Sequence, residues 1–299
     1  MKPIKRELYF DPKLKRLRPI EGELLTTSSH LDWRGFLLEH HTIPPSEGQD
    51  VVWMNNVVVV QLREAVTIES KEGSHSSTQR ILPGQIRIRP AFVPYSCRTL
   101  SASEFVTVSL EPGFLQSVSS GKVAPQKWAL NFLSGVEDRF VEGVCMALLG
   151  EAQQGGRSGK LYSESLATSL AAHLLSHYSN QVQDNTVKGG LTQRSLRNAL
   201  EYIHEHLNEN ISLKTIADAA GLSQFHFARQ FKSKMGCPPY QFVLQKRIER
   251  AKELLLRRDL SISAIASDLG FSDQSHLTLH FKRLTGSTPR AFAKRFDSE

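Results

Sequence analysis

Cysteine is scarce in this 299-residue chain: Cys97, Cys145 and Cys237 are the only three, and none forms a CxxC pair. An odd, dispersed set excludes a disulfide framework and a cysteine-built zinc site, and it fits a reducing compartment. Long apolar runs are also missing. Stretches such as Val57–Val60 last a few residues, far short of the ~20 that a membrane-spanning helix needs. The opening MKPIKRELYF is charged and has no apolar segment of the kind a secretory signal carries. Enzyme signatures are absent as well, with no GxSxG, no HExxH and no acid/base pair at a telling spacing. GGRSGK (155–160) has one residue too few between Gly155 and Gly159 for a phosphate loop, and Leu161 stands where Ser or Thr belongs. The expectation is a soluble, cytoplasmic protein with no catalytic site, no cofactor and no membrane partner.

What is present is ordinary globular composition, 40% hydrophobic and 22% charged, in a chain long enough for two domains. The 37 Lys+Arg exceed the 30 Asp+Glu by seven. That excess is unevenly placed. Residues 1–190 carry 20 basic and 19 acidic residues, whereas residues 191–299 carry 17 and 11. A positive charge concentrated in the last third favours a polyanion, and nucleic acid is the commonest one inside cells.

The N-terminal part has strand character. Residues 51–70 and 79–100 are rich in β-branched residues and broken by Gly, Pro and Ser, and 104–112 alternates apolar with polar. KEGSHSS (71–77) has the composition of a turn. After Pro112 the period becomes helical, over 136–154 and 161–179, with Leu166, Leu170 and Leu174 on one stripe of the second helix. Residues 180–190, NQVQDNTVKGG, are polar and end in two glycines, as a linker does. The predicted organisation is therefore a domain over 1–180, a linker over 181–190 and an all-helical domain over 191–299.

Within the helical domain, SLKTIADAAGLSQFHFARQFKSKMGCPPYQF (212–242) repeats as SISAIASDLGFSDQSHLTLHFKRLTGSTPRAF (261–292). At a shift of 49, Ser212, Ile216, Ala217, Gly221 and Ser223 fall on Ser261, Ile265, Ala266, Gly270 and Ser272. After one inserted residue, at a shift of 50, His226, Phe231, Lys232, Gly236, Pro239 and Phe242 fall on His276, Phe281, Lys282, Gly286, Pro289 and Phe292. Each copy predicts a helix-turn-helix, over 212–235 and 261–285. Ser212 and Ser261 cap a first helix, Ile-Ala packs it, and Gly221 and Gly270 leave it with positive φ. Ser223 and Ser272, with Asp273 sharing the task, cap a second helix that Phe231 or Phe281 anchors. Pro239 opens a connecting helix over 239–257, ~28 Å long at ~1.5 Å per residue. Adding helix widths brings the two second helices to about one DNA turn, ~34 Å apart.

Two such units joined by a helix resemble the DNA-binding domain of the AraC/XylS family of transcription regulators. The second copy, GFSDQSHLTLHFKRLTGSTPRAF, is very similar to that family's signature. The resemblance implies one recognition helix per unit, with double-stranded promoter DNA and RNA polymerase as partners and activation as the outcome. The exposed face of the first recognition helix then presents Gln224, Phe225, Ala228 and Arg229, and that of the second Gln274, Ser275, His276, Thr278 and Leu279. Arg229 suits guanine O6 and N7, Gln274 suits adenine, and Phe225 suits a thymine methyl. Ser223, Lys232, Lys234, Ser272, Lys282 and Arg283 are candidate phosphate contacts. The family often carries Arg where this chain has Leu279, which implies weaker direct readout by the second helix or contact with a thymine methyl.

LPGQIRIRPAFVPYSCRTL (82–100) is similar to half of a cupin motif. The implied fold class is α+β in two domains: an N-terminal cupin-like β-barrel with a helical pair and a C-terminal all-α domain with two helix-turn-helix units. The barrel would bind an unidentified small-molecule effector and support a homodimer, with the helix over 161–179 as one candidate dimer face and packing on the barrel as its other use. Trp53, Arg87, Arg89, Phe92 and Tyr95 are candidate pocket residues. His40, His41 and His75 lack the HxH, Glu and further His of metal-binding cupins, and His173 with His177, four apart on a helix, fits packing better than metal ligation. Two alternatives stay open: a cupin-type metal-dependent enzyme with a DNA-binding tail, and a ligand-independent DNA-binding protein.

Overall fold

The computed structural model describes residues 8–14, 16–72, 75–119, 128–181, 191–235, 237–257 and 260–295. Two compact units result: one comprises residues 6–11 and 18–188, and the other residues 189–299 together with 1–5 and 12–17. Most of the expected linker, residues 182–190, lies outside the described residues.

The strand-rich part runs β1 (Leu8–Asp11), β2 (Arg16–Pro19), β3 (Glu23–Thr27), β4 (Phe36–Ile43), β5 (Ser46–Trp53), β6 (Asn56–Gln61), β7 (Val66–Glu72), β8 (His75–Ile81), β9 (Ile86–Arg89), β10 (Pro94–Thr99) and β11 (Ser103–Leu110). There follow α1 (Pro112–Ser119), β12 (Trp128–Leu130), β13 (Leu133–Val136), α2 (Arg139–Gln153), α3 (Lys160–His177) and β14 (Ser179–Gln181). Two six-stranded sheets form, in the orders β2-β1-β5-β10-β7-β8 and β13-β9-β6-β11-β4-β3. The N-terminal half is thus β-rich and the C-terminal half helical, the class expected. The barrel itself needs correction: among the described residues no strand pairing joins the two sheets, so they lie as open sheets. The strands before residue 46 carried too little β-branched patterning to stand out. KEGSHSS is strand rather than turn at both ends, because β7 and β8 pair as far as Glu72 opposite His75.

Alternation along the central strands explains their sequences. Val57 and Val59 of β6 belong to an apolar cluster with Val51, Trp53 and Tyr95 of the opposite sheet. Val58 and Val60 instead join the cluster built with α2 and α3, which includes Val141, Leu148, Leu170 and Leu174. A strand buried on both faces is read as an unbroken apolar run. The neighbouring β9, IRIR, follows the same rule: Ile86 and Ile88 pack under the helices, so the side chains of Arg87 and Arg89 are directed between the sheets.

The helical pair is held by Asp138, the N-cap of α2. Its carboxylate accepts from the Phe140 and Val141 backbone N–H groups and from the Tyr178 hydroxyl at 2.7 Å, and it meets His173 Nε2 at 2.8 Å. The apolar stripe of α3 is spent inside this unit, with Ala167, Leu170, Ala171 and Leu174 buried in its core. The stripe therefore packs within the unit, largely against α1 and α2.

The second unit contains α4 (Gln193–Glu205), α5 (Leu213–Ala219), α6 (Gln224–Met235), α7 (Pro239–Arg257), α8 (Ile262–Asp268), α9 (Gln274–Thr285) and α10 (Pro289–Arg295). The internal repeat is visible in the packing. Phe231 meets Phe242 edge-on at 5.7 Å between centroids, and Phe281 meets Phe292 in the same way at 5.4 Å.

Candidate nucleic-acid interface

Each helix-turn-helix unit is assembled by local chemistry. The Ser212 side chain accepts from Thr215 N–H, and the Thr215 hydroxyl accepts from Ser212 N–H in return, which closes a capping box on α5. Ser261 accepts from Ala264 N–H at the start of α8. Ile216, Ala217, Ile265 and Ala266 are buried, and the small alanines let α6 and α9 approach. Gly221 and Gly270 take φ +70° and +67°. In both turns the same pair of backbone bonds closes the helix end, Leu222 N–H to Ala217 O with Gly221 N–H to Asp218 O, and Phe271 N–H to Ala266 O with Gly270 N–H to Ser267 O. Gly236, a member of the repeat, lies outside the described residues.

The inserted residue changes the cap of the second recognition helix. Asp273, not Ser272, is the N-cap of α9 and accepts from His276 N–H at 2.8 Å. Five residues separate α8 from α9 where four separate α5 from α6, so the residue one step later occupies the cap position. The hydrogen bond from His276 N–H, followed by those from the Ser272 hydroxyl and Ser275 N–H, holds the Asp273 carboxyl below its ordinary range. The Ser272 hydroxyl lies within hydrogen-bond distance of Asp273 and of His276 Nδ1. Ser223, directly before α6, is exposed.

Helical period gives both recognition helices one buried and one open face. Phe227 and Phe231 on α6, and Leu277 and Phe281 on α9, are fully buried. Gln224, Phe225 and Arg229 are exposed with Ala228 half-buried between them; at a shift of 50, Gln274, Ser275 and Leu279 are exposed around half-buried Thr278. Phe225 at 80% and Leu279 at 66% exposure are large apolar side chains left in water on these open faces. His276 stands beside these residues on the open side of the helix. It is half-buried, contacts Phe271 edge-on and faces His280 at 4.7 Å between ring centroids. Lys232 and Lys234 end α6, Lys282 and Arg283 end α9, and all four are exposed. Partial burial lowers the Lys234 ammonium from its ordinary value.

One residue the sequence did not reveal ties the two units together. Arg247, in the middle of α7, is 5% exposed. Its guanidinium donates to Leu207 O at 3.0 Å, to Glu209 O at 2.5 Å and to Gly270 O at 2.7 Å. The first two carbonyls lie between α4 and α5, and the third is in the turn of the second unit. A Cβ at Gly270 would stand 2.6 Å from Arg247 Nη2, so glycine is demanded there by contact as well as by φ. The only sequence signal is an arginine on the apolar side of an amphipathic helix.

The N-terminal unit holds a cavity of about 120 Å³ between its sheets, lined in part by Trp53, Val59, Arg87, Arg89, Tyr95, Cys97 and Phe105. Four of the five expected pocket residues are there. Phe92 is not: it is buried at φ +62° in the β9–β10 loop, where its N–H donates to Trp53 O. Trp53 Nε1 donates to the Tyr95 hydroxyl at 2.6 Å. Burial pushes the Tyr95 hydroxyl and the Cys97 thiol above their ordinary values. The expected histidines are otherwise engaged: His40 meets Glu104, His41 meets Glu39, and His173 meets Asp138 while stacking on His177 at 4.2 Å. The His75 side chain lies outside the described residues. Among the described residues no group of three or more such side chains is placed to hold a metal, and no helix is long and apolar enough to cross a membrane. The Gly155–Lys160 loop turns its Ser158 N–H onto Glu151 at 2.7 Å, so a carboxylate occupies a donor that a phosphate loop would keep free.

Paired open-faced helices with basic ends define a helix-turn-helix DNA-binding protein. A helix-turn-helix domain family model matches residues 216–295. The probable transcription factor PqrA of Proteus vulgaris is 34% identical over 104 residues, 34% of this chain and 85% of that protein. The probable transcriptional regulator LumQ of Photobacterium leiognathi is 41% identical over 91 residues, 30% of this chain and 37% of that protein. This chain likewise spans less than two thirds of the length of other curated relatives, 61% and 34% of two of them. Among solved structures, the DNA-binding domain of AdpA in complex with a target DNA is 32% identical over 33% of this chain and 90% of that one, with a TM-score of 0.32. The chain belongs to the AraC-type family of transcriptional regulators.

Proposed function

We propose that the protein is a sequence-specific regulator that binds promoter DNA through α6 and α9, activates transcription by contact with RNA polymerase, and responds to a small molecule held between the sheets of its N-terminal unit. The observation that carries the DNA reading is the repeated face: Gln224, Phe225, Ala228 and Arg229 recur as Gln274, Ser275, Thr278 and Leu279, each followed by basic residues at the helix end. Arg229 and Gln274 read base edges, while Lys232, Lys234, Lys282, Arg283 and the turn hydroxyls of Ser223 and Ser272 hold phosphates. His276, beside Gln274 and Ser275 at the helix start, is a further base contact. Ligand binding acts by shifting the balance between arrangements of units or protomers, with a homodimer as the working form.

The test is footprinting of the purified full chain on the DNA flanking its own coding sequence. Two protected major-groove segments about one turn, ~34 Å, apart are expected. Retardation of all sequences alike, without protection of any, would overturn sequence-specific regulation.

A further inference from the structure

The inward arginines of β9 raise a question of charge. Arg87 is 8% and Arg89 3% exposed, and both line the intersheet cavity. Among the described residues neither forms an ion pair. Arg89 is well supported: it donates to Leu133 O at 2.7 Å and to Ser134 Oγ at 2.9 Å, and its guanidinium lies 4.1 Å from the centroid of the Phe132 ring. Arg87 is not. It makes one long bond to Gln61 Oε1 at 3.3 Å and lies 5.5 Å from the centroid of the Phe105 ring, and its Nε, which is buried, has no hydrogen-bond partner. Burial, followed by the neighbouring Arg89, lowers the Arg87 guanidinium to about 10, which still leaves it charged at neutral pH.

Two adjacent buried cations that no carboxylate contacts are costly, and a buried N–H donor left unsatisfied adds to the cost. A folded protein keeps such an arrangement when something else supplies the anion. The space is small; Trp53, Val59 and Phe105 are among its apolar and aromatic walls, and two carboxylates, Glu21 and Glu47, also line it, both exposed to water and Glu21 paired with Arg18. A cavity of this order holds about one benzene-sized ring.

We propose that this cavity binds a small carboxylate with an aromatic or compact apolar body, the carboxylate engaging Arg87 from the Nε side and the ring lying against Trp53 and Phe105. The assignment rests on the ligand-responsive reading above and names the chemical class of its effector. Guanidinium and carboxylate match in geometry, so the anion satisfies the orphan donor and neutralises the pair in one contact.

The probes are benzoate, phenylacetate and cyclohexanecarboxylate, with benzamide as the neutral isostere of the first, titrated calorimetrically into the full chain. Benzoate should bind about tenfold or more tightly than benzamide, the margin of one charge-assisted hydrogen bond. Arg87→Met should abolish that preference. Should R87M fail to fold, the Arg Nε–H resonances of the wild-type protein decide, since carboxylate but not amide should shift one of them strongly. Equal binding of benzoate and benzamide, or no binding by any of the three carboxylates, would overturn the anionic class. DNA protection measured on the same preparation separates the two readings: an intact footprint with no carboxylate preference removes the ligand class alone, and a missing footprint removes the regulatory reading.

Discussion

Replacing Arg247 should loosen the second unit as a whole. The guanidinium serves three backbone carbonyls, of Leu207, Glu209 and Gly270, that belong to different parts of the domain. A hydrogen bond to a charged group contributes about 1.5–3 kcal/mol, but relief of the buried guanidinium's desolvation offsets part of three such bonds. Burial lowers its pKa from the ordinary value, in keeping with that cost. Arg247→Met keeps the aliphatic stem and strands the carbonyls, so a loss of about 3–4 kcal/mol is expected, within the range for breaking buried charged partnerships. Arg247→Lys should lose much of the same, because one ammonium cannot span three separated acceptors as a planar fork can. Denaturant unfolding of the full chain reads the stability. Footprinting on operators with one or two base pairs added between half-sites reads the geometry, and R247M should discriminate less sharply against altered spacing than wild type. Stability within about 0.5 kcal/mol of wild type, the level of an ordinary surface change, would show that the carbonyls do not depend on Arg247.

Three further outcomes follow from the same geometry. Arg229→Ala should weaken operator binding by about 1–3 kcal/mol and relax preference at one base pair; an equal loss on all sequences in a gel-shift series would rule out base reading by this side chain. Leu279→Arg should strengthen binding to operators with guanine at the matching position and steepen the salt dependence by about one unit in log–log slope; unchanged affinity across a base-substituted operator set would place residue 279 away from the groove. Asp138 bears on acid stability. Desolvation raises its carboxyl, but hydrogen bonds from Val141 N–H, Tyr178 and His173 outweigh this and hold it below the ordinary value. Its stabilisation is therefore complete above about pH 4, the unfolded aspartate value, and is lost as pH falls through the lower folded value. Asp138→Asn should flatten that part of the stability–pH curve, and coincident wild-type and mutant slopes would contradict the assignment.

The helical half was legible because its determinants are local and periodic. A repeat with its serines, Ile-Ala pairs, glycines and phenylalanines at fixed spacing prescribes helix, turn and helix wherever the rest of the chain lies. The connecting helix accordingly opens at Pro239, where its proline places the start. The open sheets were less legible, since the pairing of edge strands depends on partners far away in the chain.

Three features needed the folded chain. The extra residue in the second turn could be counted in the sequence, but only the geometry made Asp273 rather than Ser272 the cap. Arg247 looked like one more charge on a long helix until α4, α5 and α8 brought three carbonyls around it. IRIR, lastly, announces two unlike faces without saying which is inward. Alternation is a property of the strand, whereas the inside is defined by which face the helices cover. Here α2 and α3 cover the isoleucines, and the arginines that convention would place in water are enclosed between the sheets.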